Sequence, residues 1–490
     1  MLELTVFLSG ALVLILELVA SRILAPYVGT SLYVWTSLIG VILGSLSLGY
    51  WLGGRLADRS PQPRVLALTL IGAAAAVSLI PIAQGPLLSA LATSEGDPRW
   101  NSLGAAMLFA LPAVLLGVVS PFAARLRMTS VSSSGSTVGK LYAISTLGSI
   151  AGAFAAGFWL IPNVGSTRLV YLIGLCLLGC SALNAPLQLN RARLGVLAIW
   201  GASVCYFVAS PPAWAAGQLL LDRDTAYQRL LVFDLPVPNR QPVRVLAMGF
   251  SEYHSAMFLD RPQELALDYT RFFSMVRYLR PSLRRILCVG GGALSFPRYL
   301  LATFPEAFVD VVELDPGVSQ VAQEYFHFTP DPRLSLHHED GRVFLNRVGP
   351  RYDAVFLDVF WGRTIPQQLA TVESARRIAA RLAPDGVLLV NFVSGIDGPG
   401  GAFFQHEYAT LKRIFPHVLV FPVFYPGDAT RVQNLVLVAA ARPEALTLTA
   451  PELRPFLAHL WTSPIPAAFE LTDDFAPVEH MAARQLAVGR

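Results

Sequence analysis

The sequence predicts a multi-pass α-helical membrane domain followed by an α/β domain with a parallel sheet, and three observations lead to this prediction. The chain has 490 residues, 54% of them hydrophobic and only 14% charged, so it is too long for one ordinary domain and too apolar for an average soluble protein. Charged residues are sparse up to about residue 210 and recur at globular density from Asp222 onward. In this second part, strand patterns alternate with helical patterns. We therefore predict two parts of different structural class, divided near residue 214.

About seven segments of the first part are apolar and long enough to cross a bilayer, which requires roughly 20 residues per helix. They lie at 4–24, 32–54, 65–92, 103–124, 138–161, 168–187 and 194–210. The first segment lacks the basic start and the small-residue cleavage site of a removable signal peptide, so we expect it to be retained as a helix. The predicted transmembrane domain covers residues 1–214, and its predicted partner is the lipid bilayer.

Basic residues between these segments fall in alternate loops. They are Arg55, Arg59 and Arg64, then Arg125, Arg127 and Lys140, then Arg191 and Arg193. The positive-inside rule places these loops and the amino terminus in the cytoplasm. Seven crossings would then leave the second part outside the cytoplasm. If the short last segment is instead re-entrant or interfacial, the second part is cytoplasmic, and hydropathy leaves both topologies open.

Two features of the membrane part concern helix packing. Glu17 lies inside the first segment with Arg22 five residues later, which predicts an ion pair within the bundle and leaves a substrate path as the alternative. Small residues recur from Gly148 and Gly152 onward at a four-residue spacing, which predicts close approach of two helices.

The second part begins with two strand-like runs, at 227–236 and 242–250, with proline and asparagine between them. This pattern predicts a small β-hairpin subdomain over residues 215–262. From residue 281 onward, strand runs alternate with stretches of helical period, such as 316–327 and 367–382. The alternation predicts a parallel, doubly wound sheet whose ligand site lies at the carboxyl ends of the strands.

Four features lie at the predicted strand ends. They are Gly290, Gly291 and Gly292 after the first strand, Glu313 after the second, Asp340 and Gly341 after the third, and Asp358 after the fourth. Glycines let a ligand approach the backbone closely, and a carboxylate about twenty residues further on can accept both hydroxyls of a ribose. Singly, such features are also explained by a tight turn or a helix cap. Together they predict a nucleoside site without a pyrophosphate group, because the usual G-x-G-x-x-G pattern is missing.

Neither a metal site nor a nucleic-acid site is predicted. The four cysteines have no paired spacing suited to zinc, and the net charge of +4 comes without a basic run. His337 and His338 are adjacent on a predicted strand, so their side chains point to opposite faces and do not easily share one ion.

The block from about residue 222 to 394 resembles the spermidine synthases, which are polyamine aminopropyltransferases. The segments that carry the resemblance are "TAYQRLLV", "ELALDYTRFF", "VGGGALSFPRYL", "VVELDPGV", "DPRLSLHHEDG" and "YDAVFLDVF". The first part resembles bacterial proteins in which such a domain is fused to a transporter-like membrane region, notably over "ELVASRILAPYVGTSLYVWTSLIGVILGSLSLGYWLGGRLADR". The resemblance implies a methyltransferase-like (Rossmann-type) fold over residues 263–490 and a place in the bacterial cytoplasmic membrane.

The resemblance also implies residue roles and ligands. Ligand contacts are implied for Gln228 and Tyr269, close passage of the nucleoside for Gly290 to Gly292, ribose binding for Glu313, adenine binding for Asp340 with Gly341, and the role of general base for Asp358. The implied co-substrate is decarboxylated S-adenosylmethionine or S-adenosylmethionine, the implied acceptor is a small amine, and a homodimer is possible.

The sequence also departs from the family's pattern, most importantly at two substrate-binding positions. The substrate-binding carboxylates of the family are missing at Ala293 and Trp361, which predicts poor binding of a dicationic amine. Three functions stay open: transfer of an aminopropyl or related alkyl group, a non-catalytic binding or scaffold domain of a membrane complex, and a polyamine-related transporter with a sensing domain. The segment 470–481, "ELTDDFAPVEHM", resembles the closing segment of the fused proteins, and its acidic residues either line the site or form a solvated loop.

Overall fold

A computed structural model describes most of the chain. The described residues are 1–29, 31–92, 98–128, 130, 134–185, 190–209, 217–237, 241–249, 252–360 and 365–481. The chain divides into two compact units, of which the first comprises Met1–Ala216 with Arg223–Arg229 and the second comprises Gly217–Asp222 with Leu230–Arg490. The boundary predicted at residue 214 falls outside the described residues.

The first unit is helical. Its helices are α1 (Leu2–Val28), α2 (Leu32–Arg59), α3 (Pro63–Ala92), α4 (Pro98–Ala106), α5 (Ala110–Gly117), α6 (Val119–Arg127), α7 (Ser134–Ala155), α8 (Ile161–Val164), α9 (Ser166–Asn184) and α10 (Asn190–Ala209). Helices α4 to α6 run on as one apolar stretch, and so do α7 and α8. Six such stretches in the described part of the chain are long and apolar enough to cross a membrane. The seventh predicted segment, 194–210, forms α10 but extends past the described residues, so its crossing stays a prediction.

Helix α7 packs directly on α1 at its glycines, as the small-residue spacing predicts. A Cβ atom at Gly148 would lie 2.0 Å from the carbonyl oxygen of Phe7, and one at Gly152 would lie 2.4 Å from that of Ala11. Any larger residue would force the two helices apart. The pairing of Glu17 with Arg22 stays a prediction.

The predicted hairpin is part of a larger sheet. The strands β1 (Gln218–Asp224), β2 (Arg229–Leu235), β3 (Val243–Gly249) and β4 (Glu252–Phe258) form a four-stranded sheet in that order. Strands β2 and β3 are the two runs of the hairpin, and they pair antiparallel with Val232 opposite Leu246. Strand β4 continues the meander beyond the prediction, because the run after Glu252 pairs antiparallel with β3.

The remaining elements alternate between helix and strand. They are α11 (Asp268–Phe273), α12 (Val276–Leu279), β5 (Arg285–Val289), α13 (Ser295–Thr303), β6 (Phe308–Val312), α14 (Pro316–Tyr325), β7 (Leu334–His337), α15 (Gly341–Asn346), β8 (Tyr352–Leu357), α16 (Val372–Arg381), β9 (Leu382–Ser394), α17 (Ala402–Ile414), β10 (His417–Pro422), β11 (Gln433–Ala440) and α18 (Arg454–Leu457). Several helix starts are encoded locally. Asp315 caps α14 by accepting a hydrogen bond from the Gly317 N–H at 2.9 Å, and Pro316 occupies the first helical position.

The seven strands β5 to β11 form one sheet in the order β10-β11-β9-β8-β5-β6-β7. Strands β5 to β9 are parallel, as predicted, whereas β10 and β11 add an antiparallel edge. The central strands are apolar on both faces: Leu287 and Val289 pack into one core layer, and Ile286 and Cys288 pack into the other. Burial on both faces explains why these strands have continuous apolar runs in the sequence. The parallel strands end at the same edge, where the predicted site residues lie.

Candidate functional site

The candidate site lies where the adjacent strands β8, β5 and β6 end. The Asp358 N–H donates a hydrogen bond to the Val289 carbonyl at 2.9 Å, and the Gly290 N–H donates one to the Val312 carbonyl at 2.9 Å. These two bonds extend the strand pairing by one residue on each side of β5. The glycine turn is therefore held between Asp358 on one side and Glu313 on the other.

The glycines are required by the protein's own packing. Gly290 has a φ of 94°, and a Cβ atom on it would lie 2.1 Å from the carbonyl oxygen of Asp358. A Cβ atom on Gly292, whose φ is 49°, would lie 2.4 Å from Oγ of Ser255. The same hydroxyl oxygen accepts a hydrogen bond from the Ala293 N–H at 2.9 Å. Close approach of a nucleoside at this turn stays a prediction.

Glu313 folds its carboxylate onto the glycine turn. Its Oε2 accepts hydrogen bonds from the N–H groups of Gly291 at 3.0 Å and Gly292 at 3.3 Å, and its Oε1 accepts one from Asp315 at 3.0 Å. The side chain is buried, and burial raises the pKa of Glu313 above its ordinary value although the three backbone donors oppose this shift. A carboxylate has about four acceptor sites, so Oε1 keeps one for a further donor such as a hydroxyl.

Asp358 is held by two side chains from other elements. The Tyr269 hydroxyl donates a hydrogen bond to Oδ2 at 2.9 Å, and the Asn391 amide donates one to Oδ1 at 3.1 Å. The Asn434 amide in turn donates to Oδ1 of Asn391 at 3.0 Å, which fixes the amide orientation of Asn391. Surrounding protein desolvates the Asp358 carboxyl and raises its pKa to about 6, against the opposing effect of the two donors. A carboxyl with this pKa is mostly ionised at neutral pH and still binds a proton readily, as a general base must.

Asp340 is the amino-terminal cap of α15. Its Oδ1 accepts hydrogen bonds from the N–H groups of Arg342 at 2.7 Å and Val343 at 3.1 Å, and its Oδ2 accepts one from the Gln368 amide at 3.1 Å. An aspartate at a strand end often serves only as a helix cap, and Oδ1 of Asp340 has this role. Oδ2 retains an acceptor site. Gly341 is needed for packing, because a Cβ atom there would lie 2.6 Å from Cγ1 of Val289.

The closing segment 470–481 is attached to the residues that surround Asp340. Arg342 forms a salt bridge with Asp473, in which Nη2 lies 2.6 Å from Oδ2. The Thr371 hydroxyl donates a hydrogen bond to Oδ1 of Asp473 at 2.6 Å, and Leu471 is fully buried in the core below. The segment is therefore docked on the domain, although Asp473 itself remains half-exposed.

Other predicted residues are placed differently. Gln228 lies in the turn before β2, where its N–H donates to Oγ1 of Thr225 at 3.0 Å, and it belongs to the first compact unit, so its ligand contact stays a prediction. Ala293 is buried in an apolar cluster with Leu246 and Met257. Trp361 lies outside the described residues.

The adjacent histidines have separate partners. Nε2 of His337 lies 3.2 Å from Oδ1 of Asp310, and Nε2 of His338 lies 3.0 Å from Oγ of Ser319. In the described part of the chain, no three His, Cys, Asp or Glu side chains are grouped closely enough to hold a metal ion.

Sequence reasoning missed Asn391, Asn434 and Gln368. Asn391 had a usable signal, because it is the one polar residue inside the apolar run "GVLLVNFV" of β9, where a polar side chain needs a partner. Asn434 and Gln368 are ordinary polar residues at the start of a strand and in a short 3₁₀ turn. Only the tertiary structure reveals their roles.

Comparison with known proteins finds a family match over the residues of this site. A sequence model described as the spermine/spermidine synthase domain matches residues 271–394, which include the glycine turn, Glu313, Asp340 and Asp358. The second unit contains a spermidine synthase domain. A polyamine aminopropyltransferase of Vibrio vulnificus is 29% identical to the chain over 289 residues, which cover 55% of this chain and 93% of that protein.

Longer alignments extend beyond the spermidine synthase domain. Polyamine aminopropyltransferase 2 of Ralstonia nicotianae is 24% identical over 457 residues, covering 86% of this chain and 85% of that protein. This coverage must include part of the amino-terminal helices. Among solved structures, a probable spermidine synthase from Corynebacterium glutamicum has a TM-score of 0.41 at 24% identity and covers 53% of this chain and 91% of its own.

Proposed function

We propose that the protein is a membrane-bound, spermidine synthase-like transferase that moves an aminopropyl or related alkyl group from a sulfonium nucleoside to an amine. The observation that carries this proposal is the Asp358 carboxyl, which Tyr269 and Asn391 hold at the end of β8 next to the glycine turn. Six long apolar helices in the described residues support attachment to a membrane.

In the proposed reaction, Asp358 takes a proton from the ammonium group of the acceptor. The freed nitrogen lone pair attacks the carbon bonded to the sulfonium, a C–N bond forms, and the C–S bond breaks. The electron pair of the broken bond stays on sulfur, so the nucleoside leaves as a neutral thioether. The proton on Asp358 then returns to solvent, which a pKa of about 6 permits at neutral pH.

The remaining acceptor sites fit a nucleoside. Oε1 of Glu313 and Oδ2 of Asp340 each accept one hydrogen bond from the described residues and keep capacity for another. A ribose hydroxyl and an adenine amino group are donors of the kind these oxygens can accept. The two carboxylates follow β6 and β7, adjacent strands of the sheet, so they lie on the same edge.

The proposal is tested with full-length protein in detergent or lipid nanodiscs. Label from the aminopropyl group of decarboxylated S-adenosylmethionine, or from the methyl group of S-adenosylmethionine, should appear on an added amine, with release of the thioether nucleoside. A panel of mono-, di- and triamines identifies the acceptor. If neither nucleoside binds at millimolar concentration, the proposed transfer is wrong.

A further prediction concerns the acid limb of the pH profile of kcat/KM for transfer. Transfer requires ionised Asp358, so kcat/KM should rise as the pH passes about 6 and then level off. Tyr269→Phe removes a donor that lowers the pKa of Asp358, so its acid limb should move to higher pH. The matched control is Tyr278→Phe on α12. An unchanged limb in Tyr269→Phe would contradict the assignment of this limb to Asp358.

A second function, a non-catalytic binding or scaffold domain, is favoured by Ala293. This residue is buried in an apolar cluster and provides no carboxylate for a substrate ammonium group. Reporter fusions at the carboxyl terminus of the full chain help to separate the two functions, because sulfonium nucleosides are made in the cytoplasm. We expect a cytoplasmic terminus, and a terminus outside the cytoplasm would favour the scaffold.

A further inference from the structure

We propose that Gln368 is a specificity-determining residue that, together with Asp340, selects a 6-aminopurine over a 6-oxopurine in the nucleoside site. The inference rests on the proposed function, because it requires a purine nucleoside at this edge of the sheet. It gives a role to Gln368, for which the sequence analysis predicted none. The structural basis is the Gln368 amide, which lies 3.1 Å from Oδ2 of Asp340 on an exposed 3₁₀ turn.

Asp340 can offer a base only one oxygen. Two backbone N–H groups of α15 already bind Oδ1, at 2.7 and 3.1 Å. Among the described residues, Oδ2 accepts a hydrogen bond from the Gln368 amide alone and keeps one acceptor site. Any donor on a base that reaches Asp340 at Oδ2 must therefore lie beside the Gln368 side chain.

The hydrogen bond also determines how the amide is turned. Nε2 of Gln368 must face the carboxylate, because the opposite orientation would set the amide oxygen against Oδ2. Nε2 carries a second N–H, which has no partner among the described residues. The pair thus presents an acceptor, Oδ2, next to a donor, the second N–H.

This acceptor–donor pair matches one edge of adenine. The amino group at position 6 donates, and the ring nitrogen beside it accepts, so both hydrogen bonds can form at once. A 6-oxopurine has a carbonyl oxygen at position 6, which would face the Asp340 carboxylate with no proton between them. The Asp340 carboxylate therefore repels the 6-oxopurine, which costs more affinity than the loss of a hydrogen bond alone.

Arg342 and Asp473 position the turn that carries Gln368. Nη1 of Arg342 donates a hydrogen bond to the backbone carbonyl of Gln368 at 2.9 Å, and its guanidinium is held by Asp473. The Thr371 hydroxyl, two residues after the turn, donates to the same carboxylate at 2.6 Å. The closing segment thus supports the Gln368 backbone through Arg342 of α15. Asp473 is therefore a positioning residue.

The test measures binding of two probes to full-length protein by calorimetry. The probes are 5′-methylthioadenosine, the thioether released by aminopropyl transfer, and its 6-oxo counterpart 5′-methylthioinosine. The variants are Gln368→Ala, Gln368→Glu and Asp473→Asn, and the matched control is Gln367→Ala, which removes the neighbouring exposed glutamine of the same turn. Thermal unfolding of each variant verifies that it is folded.

Wild type should bind the adenine probe more tightly by about 100-fold, and both Gln368 variants should reduce this ratio by about 10-fold. Asp473→Asn should reduce it less, and Gln367→Ala should leave it unchanged. A purely structural role for Gln368 would weaken both probes equally, and an unchanged ratio in Gln368→Ala would overturn the inference while the proposed function stands. If neither probe binds wild type, the proposed nucleoside site fails and this inference fails with it.

Discussion

Replacing Asp358 by asparagine should lower kcat for transfer by about 10²–10⁴-fold, with little change in the affinity for 5′-methylthioadenosine. The amide cannot take a proton from the acceptor, so the amine keeps its charge and has no lone pair for attack. The size and shape of the side chain stay nearly the same. The new amide can accept from Asn391 through its oxygen, and the Tyr269 hydroxyl can turn to accept from its nitrogen. The loss should therefore fall on chemistry rather than on folding.

The control for this prediction is Asp353→Asn on β8, the strand that Asp358 follows. Asp353 lies near the start of β8, at the opposite end from Asp358, and accepts hydrogen bonds from the N–H groups of Arg284 and Arg285 at 2.7 and 2.9 Å. Its replacement makes the same chemical change at the other end of β8 but should leave kcat within about twofold of wild type. Full activity of Asp358→Asn would show that another group removes the proton.

The strand ends were predictable from the sequence because they depend on local patterns. Buried strands of a parallel sheet are continuous apolar runs, and their polar successors Glu313 and Asp358 stand out against them. The resemblance singled out Tyr269 and Asp358 separately, and the hydrogen bond between them is a finding of the structure. For the strand ends, the order of the motifs along the chain and the general rule for α/β sheets are sufficient.

The partners of these residues depend on register and on tertiary packing. Asn391 reaches Asp358 because Val390 pairs with Leu357 across β9 and β8, and a shift by one residue would turn Asn391 to the other face. The antiparallel strand β11, which pairs with β9, adds Asn434 from more than 40 residues further along the chain. Contacts between residues so far apart in the chain leave no local pattern, so the sequence indicated Asp358 but not the amides of Asn391 and Asn434.

Glu407 is a buried carboxyl that differs from Asp358, because it is not one of the residues of the candidate site. It lies on α17, is only 3% exposed, and faces a small cavity lined mainly by apolar side chains such as Leu357, Ile378 and Leu411. Its Oε1 has no hydrogen-bond partner among the described residues. Burial raises the pKa of Glu407 well above its ordinary value, so it favours the protonated, neutral form of this carboxyl.

Glu407→Leu should stabilise the second unit by about 1–3 kcal/mol, because it removes a buried carboxyl whose Oε1 lacks a hydrogen-bond partner among the described residues. For a domain of this size the midpoint of thermal unfolding should rise by roughly 2–4 °C per kcal/mol. The gain should depend on pH in a definite direction. The folded state holds a proton on Glu407 that the unfolded chain releases above its ordinary pKa of 4.5, so wild type loses stability as the pH rises from that value. The difference between variant and wild type should therefore grow from pH 4.5 towards neutral pH.

The matched control is Glu306→Leu, the same exchange at an exposed position, which should change stability by less than about 0.5 kcal/mol at any pH. Comparing the two variants between pH 4.5 and 7.5 separates the buried carboxyl from general effects of lost negative charge. If Glu407→Leu lowers the unfolding midpoint throughout this range, the carboxyl has a stabilising partner. If the gain does not change with pH, Glu407 releases its proton in the folded state as easily as in the unfolded chain. An increase with pH means that the folded state holds the Glu407 proton more tightly than the unfolded chain does. Burial also raises the pKa of Asp358, to about 6, but there hydrogen bonds from Tyr269 and Asn391 stabilise the charged form and oppose the effect of burial.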